Sequence, residues 1–519
     1  MSDSAEVLAC DLLIVGAGPA GLAAALSLTR QTPGSSCAFR NIIVLEKSAR
    51  VGGHLLSGAL VDPQAFAPLG LSQPPPHQGV VTRERLLWLQ GRRAWSLPPW
   101  PPWRHGGEWM LSLGEVCRAL AAEAEARGVL ILTATSAVMP LWRDGRLVGV
   151  HTGPRGGQPG MRIHAPWTLL AEGCRGSLSG QVIRTLGLAS AGRRATYALG
   201  IKQLWDTPDA PPGLVVHTLG GLPAGVHGGG FVHVQQQGRS ALGLVVGLDY
   251  ADATLRPMAL FRQWCQHPAI AGLLGRGVPL AHGARVVCQG GWPAQPRLVF
   301  PGGMLLGDAA GLLDVARQQG VEGALLSGQL AARALMGDRP GDYPRWLADS
   351  SWGQRLHAVR NVREGFRLGT AGGLLHAAWE GLTGGRMPWT WGRDTSDRQC
   401  LRPLPVKAAP HQTPAAGADQ RHEFLSLSRL HHREGQPAHL LRDGPLPAPG
   451  DAGAAFAWAE TSFCPAGVFS WHVGLDGQPA FRVQSGNCLH CKCCDIKDPL
   501  DSWRWHPPEG GSGPDFAGL

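Results

Sequence analysis

Apolar positions along this chain fall into short buried runs, helical faces and one tryptophan segment broken by prolines. Residues 11–15 (DLLIV) read as a buried strand entering the turn Gly16-Ala17-Gly18-Pro19-Ala20-Gly21. An Ala/Leu-rich helix is predicted over 22–29, and a second strand over 42–45 ends on Glu46. Residues 168–173 (TLLAEG) repeat the strand-into-glycine pattern, and Glu172 and Gly173 there are candidate FAD contacts. Residues 304–311 (MLLGDAAG) predict a strand ending on Gly307 and Asp308, with a helix following to about Met336. In the segment from Gly372 to Trp391, Leu374, Leu375, Ala378, Trp379 and Leu382 share one helical face; Met387, Trp389 and Trp391 follow. The segment from Trp95 to Trp103 reads WSLPPWPPW, and its prolines predict an extended loop. No run of about 18 apolar residues exists, so no membrane-spanning helix is predicted. The polar, Pro/Ala-rich stretch from 397 to 420 reads as a linker.

The first strand, turn, helix, strand and acid form a βαβ dinucleotide fingerprint. Gly16 permits the turn, Gly18 lets backbone approach a pyrophosphate, and Gly21 lets helix and strand pack closely. The helix N-terminus offers amide donors to phosphate. Glu46 is placed for the adenosine ribose hydroxyls. The later strand-Gly-Asp element points to FAD rather than NAD, with Asp308 toward the ribityl chain.

Composition narrows the class. At 519 residues and 44% hydrophobic, the chain has room for two or three globular domains. The net charge of +9 suits an anionic lipid or an acidic protein partner. No Lys/Arg-rich run or nucleic-acid motif appears, so nucleic acid is the least favoured partner. The N-terminus lacks a signal-peptide layout. A nucleotide motif starting at residue 16 leaves no room for a transit peptide, so a bacterial, cytosol-facing protein is expected.

Four of the twelve cysteines fit an iron–sulfur ligand set: Cys464, followed by Pro465, then Cys488, Cys491 and Cys494 in NCLHCKCCDIKDP. Two-residue gaps let one tight loop aim three thiolates at a centre, and a distant Cys-Pro supplies the fourth. Four thiolates also hold structural zinc, but zinc sites more often pair two C-x2-C knuckles. Cys493 interrupts the pattern and reads as a spare thiol.

These landmarks together resemble the electron transfer flavoprotein–ubiquinone oxidoreductase family. The resemblance spans nearly the whole chain, through GGHLLSGALVDPQAF (52–66), AEGCRG (171–176), HGGGFVHV (227–234), LGLVVGLDY (242–250), HAVRN (357–361), QPAHLLRD (436–443), CPAGVFS (464–470) and the last cysteine block. It implies an α/β plus α+β architecture. A Rossmann-like FAD domain of glutathione-reductase type would comprise 1–85, 105–200 and 285–345. An interleaved quinone- and membrane-binding region would comprise 86–104, 201–284 and 346–396. A linker and ferredoxin-like 4Fe–4S domain would fill 397–519. It further implies FAD contacts from Lys47, Gly53 and His54, a 4Fe–4S cluster on the four cysteines, and a quinone pocket at Gly228 and Gly229. His227 stands where family members usually carry Tyr. Asp308 replaces a small or sulfur residue, and residues 316–320 (ARQQG) replace a Pro-Lys-Ile-Lys-Gly loop.

The resemblance implies electrons entering from reduced electron transfer flavoprotein and leaving to ubiquinone or another quinone. It implies a monotopic protein dipping into one leaflet, here on the cytoplasmic face of a bacterial inner membrane. Segments 95–103 and 372–391 are the candidate lipid contacts, since prolines remove backbone donors and tryptophan prefers the headgroup boundary. A core helix and a Pro-rich linker are the alternative. Two other functions compete: a ferredoxin-fused reductase of the geranylgeranyl-reductase type, and a zinc-stabilised basic binding module.

Overall fold

The computed structural model describes residues 6–30, 39–56, 58–98, 106–404, 424–448, 450–474, 477–516 and 518–519. Largely apolar runs build a six-stranded sheet in the order Val299–Phe300, Gly303–Leu305, Trp167–Leu170, Leu12–Val15, Ile42–Leu45 and Leu130–Leu132. All neighbours are parallel except the first pair. Helix Pro19–Leu28 lies on this sheet against helix Val321–Met336. A Cβ on Gly328 would sit 2.3 Å from Ala20 O, so the two helices touch backbone to backbone.

A seven-stranded sheet forms the second body: Val278–Cys288, Tyr197–Asp206, Arg239–Gly247, Gly228–Val234, Leu214–Gly220, Arg83–Gln90 and Arg93–Leu97. Its pairs are antiparallel except Leu214–Gly220 with Arg83–Gln90. The C-terminal part is made of small hairpins and short helices, including Glu460–Phe463 and Cys493–Lys497. Its Phe463, Phe469, Trp503 and Phe516 join the same buried cluster as Leu199, Val232 and Leu244 of the seven-stranded sheet. The cysteine region therefore packs tightly on the seven-stranded sheet, its apolar side chains completing that sheet's core.

Other expectations shift as well. The helix predicted to continue from Asp308 does not. A 3-10 turn, Gly307–Ala310, stops at left-handed Gly311 (φ +74), and the loop from 312 to 320 precedes Val321–Met336. Helices Tyr343–Asp349 and Ser351–Ala358 bury Tyr343, Leu347, Trp352 and Leu356 in the six-stranded sheet's core, so 346–358 leaves the region assigned to membrane and quinone. The seven-stranded sheet starts at Arg83 and reclaims Tyr197–Asp206 and Val278–Cys288 in full. Trp95 lies in an edge strand opposite Trp88, not in an extended loop. Trp100 and Trp103 lie outside the described residues, as does 405–420 of the predicted linker. Before that stretch, Asp397 is 2% exposed and accepts from Tyr197 N at 2.8 Å, so the linker's first turn is packed. The exposed helix runs Gly369–Thr383 and ends on left-handed Gly384 (φ +60).

Candidate redox site

The fingerprint glycines have distinct physical jobs. Gly16 takes φ +109, and a Cβ there would lie 2.4 Å from Ala171 O. A Cβ on Gly21 would lie 2.1 Å from Gly16 O, so the helix seats only on glycine. A Cβ on Gly18 would meet nothing within 4 Å. That space is open for a pyrophosphate to approach backbone. Glu46 is fixed by Ala17 N at 3.2 Å and by Ser48 N and Oγ at 2.9 and 2.8 Å, facing the same cavity.

Around that cavity stand Gly16, Gly18, Glu46, Lys47, His54, Glu172, Gly173, Gly307 and Asp308. Gly53 is not among the lining residues. Its N–H donates to Arg50 O and its carbonyl accepts from Phe516 N at 2.7 Å; Gly52 faces the cavity instead. Glu172 holds the start of helix Ser177–Thr185, accepting from Leu178 N at 3.2 Å and from Ser179 N and Oγ. Burial pushes the Asp308 carboxyl up, with Arg285 opposing.

Among the lining residues that sequence reasoning missed, three bring in other parts of the chain. Arg285 comes from strand Val278–Cys288, and Lys492 and Trp505 come from the cysteine region. Burial and the charges of Lys492 and Arg285 pull Lys47 well below the usual lysine range; burial and Arg285 draw Lys492 down to about 8. Mutually repelling cations around a cavity with open phosphate space call for an anionic ligand. FAD fits this wall, and its pyrophosphate supplies the missing charge.

Gly228 and Gly229 reach the same cavity from the seven-stranded sheet. Cβ atoms there would lie 2.0 Å from Val245 O and 2.6 Å from Thr218 O, so neighbouring strands already require glycine. The cavity-facing residues Lys202, Phe231 and His217 form one row across the sheet. Lys202 is 4% exposed and its pKa is drawn by burial to about 7.

Cys464, Cys488, Cys491, Cys493 and Cys494 line one small cavity. Left-handed His490 (φ +55) and Lys492 (φ +67) curl the loop so that its thiols converge. Burial raises Cys488 to about 12 and drives Cys491 and Cys494 well above the ordinary thiol range. Clustered buried thiols can ionise only against metal charge, which fits an iron–sulfur cluster. Behind the loop, His432, His439 and His490 bring ring nitrogens within 4.8 Å of one another, and His432 Nε2 donates to Cys488 O at 3.0 Å. This imidazole group gave no signal in sequence because His490 lies some fifty positions beyond His432 and His439.

Comparison with known proteins decides the family. The 4Fe–4S model of electron transfer flavoprotein–ubiquinone oxidoreductase matches residues 419–517. The ubiquinone-binding model of the same family matches 197–287, and an NAD(P)-binding Rossmann-like model matches 14–72. A probable electron transfer flavoprotein–ubiquinone oxidoreductase of Schizosaccharomyces pombe is 35% identical, covering 99% of this chain and 86% of that protein. The Arabidopsis thaliana protein is 36% identical over 99% of this chain and 85% of its own length. The chain belongs to this family.

Membership makes the chain an oxidoreductase and explains why a Rossmann cavity and a cysteine loop share walls: the family's cofactors are FAD and a 4Fe–4S cluster. Solved structures share the fold alone. A geranylgeranyl bacteriochlorophyll reductase-like protein of Thermoplasma acidophilum superposes with TM-score 0.57 at 18% identity, covering 70% of this chain and 88% of that one. A flavin-dependent halogenase gives TM-score 0.51 at 17% identity over 91% of this chain and 84% of its own. Neither carries the geranylgeranyl alternative further than common architecture. Among the described residues no helix is long and apolar enough to cross a membrane.

Proposed function

We propose that the protein oxidises reduced electron transfer flavoprotein and reduces ubiquinone, or another quinone, at the surface of one membrane leaflet. A single observation carries this reading. One cavity is lined by fingerprint residues (Gly16, Gly18, Glu46), by the glycine pair Gly228–Gly229, and by Lys492 and Trp505 of the cysteine region. On this reading the sites for nucleotide, quinone and cluster adjoin, as an electron chain requires.

FAD and the cluster supply the redox chemistry when bound. The protein's part is placement. Gly18 and the start of helix Pro19–Leu28 receive phosphate, Glu46 takes ribose hydroxyls, and Lys47, Arg285 and Lys492 balance negative charge. Cys464, Cys488, Cys491 and Cys494 ligate the cluster, and Cys493, first residue of its helix, stays a thiol. Gly228 and Gly229 give a flat quinone ring access to backbone. Leu375 (74% exposed), Trp379 (58%) and Leu382 (83%) on helix Gly369–Thr383 form the lipid-facing side. The setting proposed is the cytoplasmic face of a bacterial inner membrane.

The test is steady-state turnover. Purified protein given reduced electron transfer flavoprotein and a short-tailed ubiquinone should form quinol under anaerobic conditions. Turnover with a ferredoxin donor and an isoprenoid alkene instead would replace this reading.

A further inference from the structure

The cavity carries a titratable group beside the glycine pair that no cofactor role absorbs. His227 directly precedes Gly228, lines the cavity, and keeps 19% of its side chain exposed. Its Nε2 lies 3.8 Å from Asp249 Oδ2. Asp249, in the loop after strand Arg239–Gly247, has a side chain only 3% exposed, and Arg363 Nη2 and Arg393 Nη1 reach its Oδ2 at 2.8 and 2.9 Å. Arg363 is anchored in turn by Gln289 Oε1 at 3.2 Å, and Arg393 by Cys400 Sγ at 3.0 Å. The arginines hold the Asp249 carboxyl below its ordinary value although burial pushes the other way. Asp249 is thus a fixed anion at the rear of an imidazole whose front edge meets the cavity.

We propose that His227 is the proton donor to the quinone oxygen on the Gly228–Gly229 side, with Asp249 as its positioning residue. This rests on the placement of quinone at the glycine pair. Conversion of quinone to quinol takes two electrons, delivered by the established redox chain, and one proton at each oxygen. At the near oxygen an O–H bond forms as the imidazolium N–H bond breaks, leaving neutral imidazole. His227 then regains a proton from water at its exposed edge. The far oxygen takes its proton from water.

The charged groups facing His227 are Asp249, Arg363, Glu364 and Arg393. Burial, with Arg363 and Arg393, draws its pKa below 6.5, while Asp249 and Glu364 work against this. An acid so tuned releases its proton readily but is protonated in only a minority of molecules at neutral pH. Quinone turnover should therefore fall as pH rises, with a midpoint below 6.5.

The test uses holoenzyme with reduced electron transfer flavoprotein as donor and a photoreactive azidoquinone as both substrate and label. In the parent protein the label should map to the peptide spanning 226–234. His227→Phe should keep that label and the KM for quinone, lower kcat about tenfold or more, and lose the limb in which turnover falls with rising pH. His227→Tyr should restore turnover, with the limb moved alkaline because a phenol titrates near 10. Asp249→Asn should shift the parental limb to lower pH, a change that a purely structural role would not produce. Retained kcat and an unchanged limb in His227→Phe, with the label still on 226–234, would overturn the proton-donor assignment. A label mapping elsewhere in the parent would instead overturn the quinone placement, and the assignment with it.

Discussion

His54 and His490 meet edge to face, their ring centroids 5.4 Å apart, joining the wall of the nucleotide cavity to the cysteine loop. Gly513 makes the meeting possible: a Cβ there would lie 2.4 Å from His490 Cε1 and 2.8 Å from His54 Nε2. The C-terminal tail crosses over the pair on glycine alone. Two cofactor sites that the sequence separates by some four hundred positions thus share side chains.

Disturbing the loop should therefore reach both cofactors. Cys491→Ser should abolish the reduced-cluster resonance and also lower flavin content, since Lys492 and Trp505 line the nucleotide cavity. Cys493→Ala should keep the resonance. Paired EPR and flavin absorbance check this; loss of the resonance on changing Cys493 would reassign the ligands.

The glycines should separate folding from binding. Gly18→Val should fold yet stay colourless, because its Cβ meets no protein atom within 4 Å and only a pyrophosphate needs that space. Gly21→Val should fail to fold, with its Cβ 2.1 Å from Gly16 O. Soluble yield and flavin content distinguish the two.

Local signals were legible and distant ones were not. The fingerprint could be read because each glycine answers a contact within one βαβ unit. The cysteine loop could be read because two-residue gaps alone bring its thiols together. Asp249 and Arg393 are 144 positions apart, and no periodicity announces their pairing. Glu172 lines the nucleotide cavity, and its oxygens also hold the start of helix Ser177–Thr185, a second role that its strand-glycine context does not announce. Trp95 read as loop because of the prolines after it; pairing with Trp88 made it strand.

The apolar side of helix Gly369–Thr383 should govern lipid binding. Each large apolar side chain moved fully out of water is worth about 1.5–3 kcal/mol, and partial insertion less. Leu375→Ser, Trp379→Ser and Leu382→Ser combined should weaken sedimentation with anionic vesicles by about tenfold or more, the equivalent of about 1.4 kcal/mol. Unchanged sedimentation would move the membrane face elsewhere.

Glu460 should make stability depend on pH. Burial raises its carboxyl from 4.5 to about 7, with Asp498 adding to the shift. The unfolded chain ionises this group first, so the folded state holds the extra proton between those values and stability falls as pH rises through that window. The loss is on the order of 3 kcal/mol by the conversion of about 1.36 kcal/mol per pKa unit. Glu460→Gln should therefore gain thermal stability over the parent from pH 5 to pH 7 and hold the gain above. A difference that does not vary with pH would remove Glu460 from this role.

The most direct test of an electron path through adjoining sites is one anaerobic turnover followed by rapid freezing. Reduced electron transfer flavoprotein is mixed with oxidised protein, and a short-tailed ubiquinone is added after a delay. The account predicts a cluster resonance and bleached flavin absorbance before quinone, both reversed on its addition, with one quinol formed per electron pair. Reduction of neither centre by the donor flavoprotein, or reduced centres that quinone leaves unchanged, would contradict it.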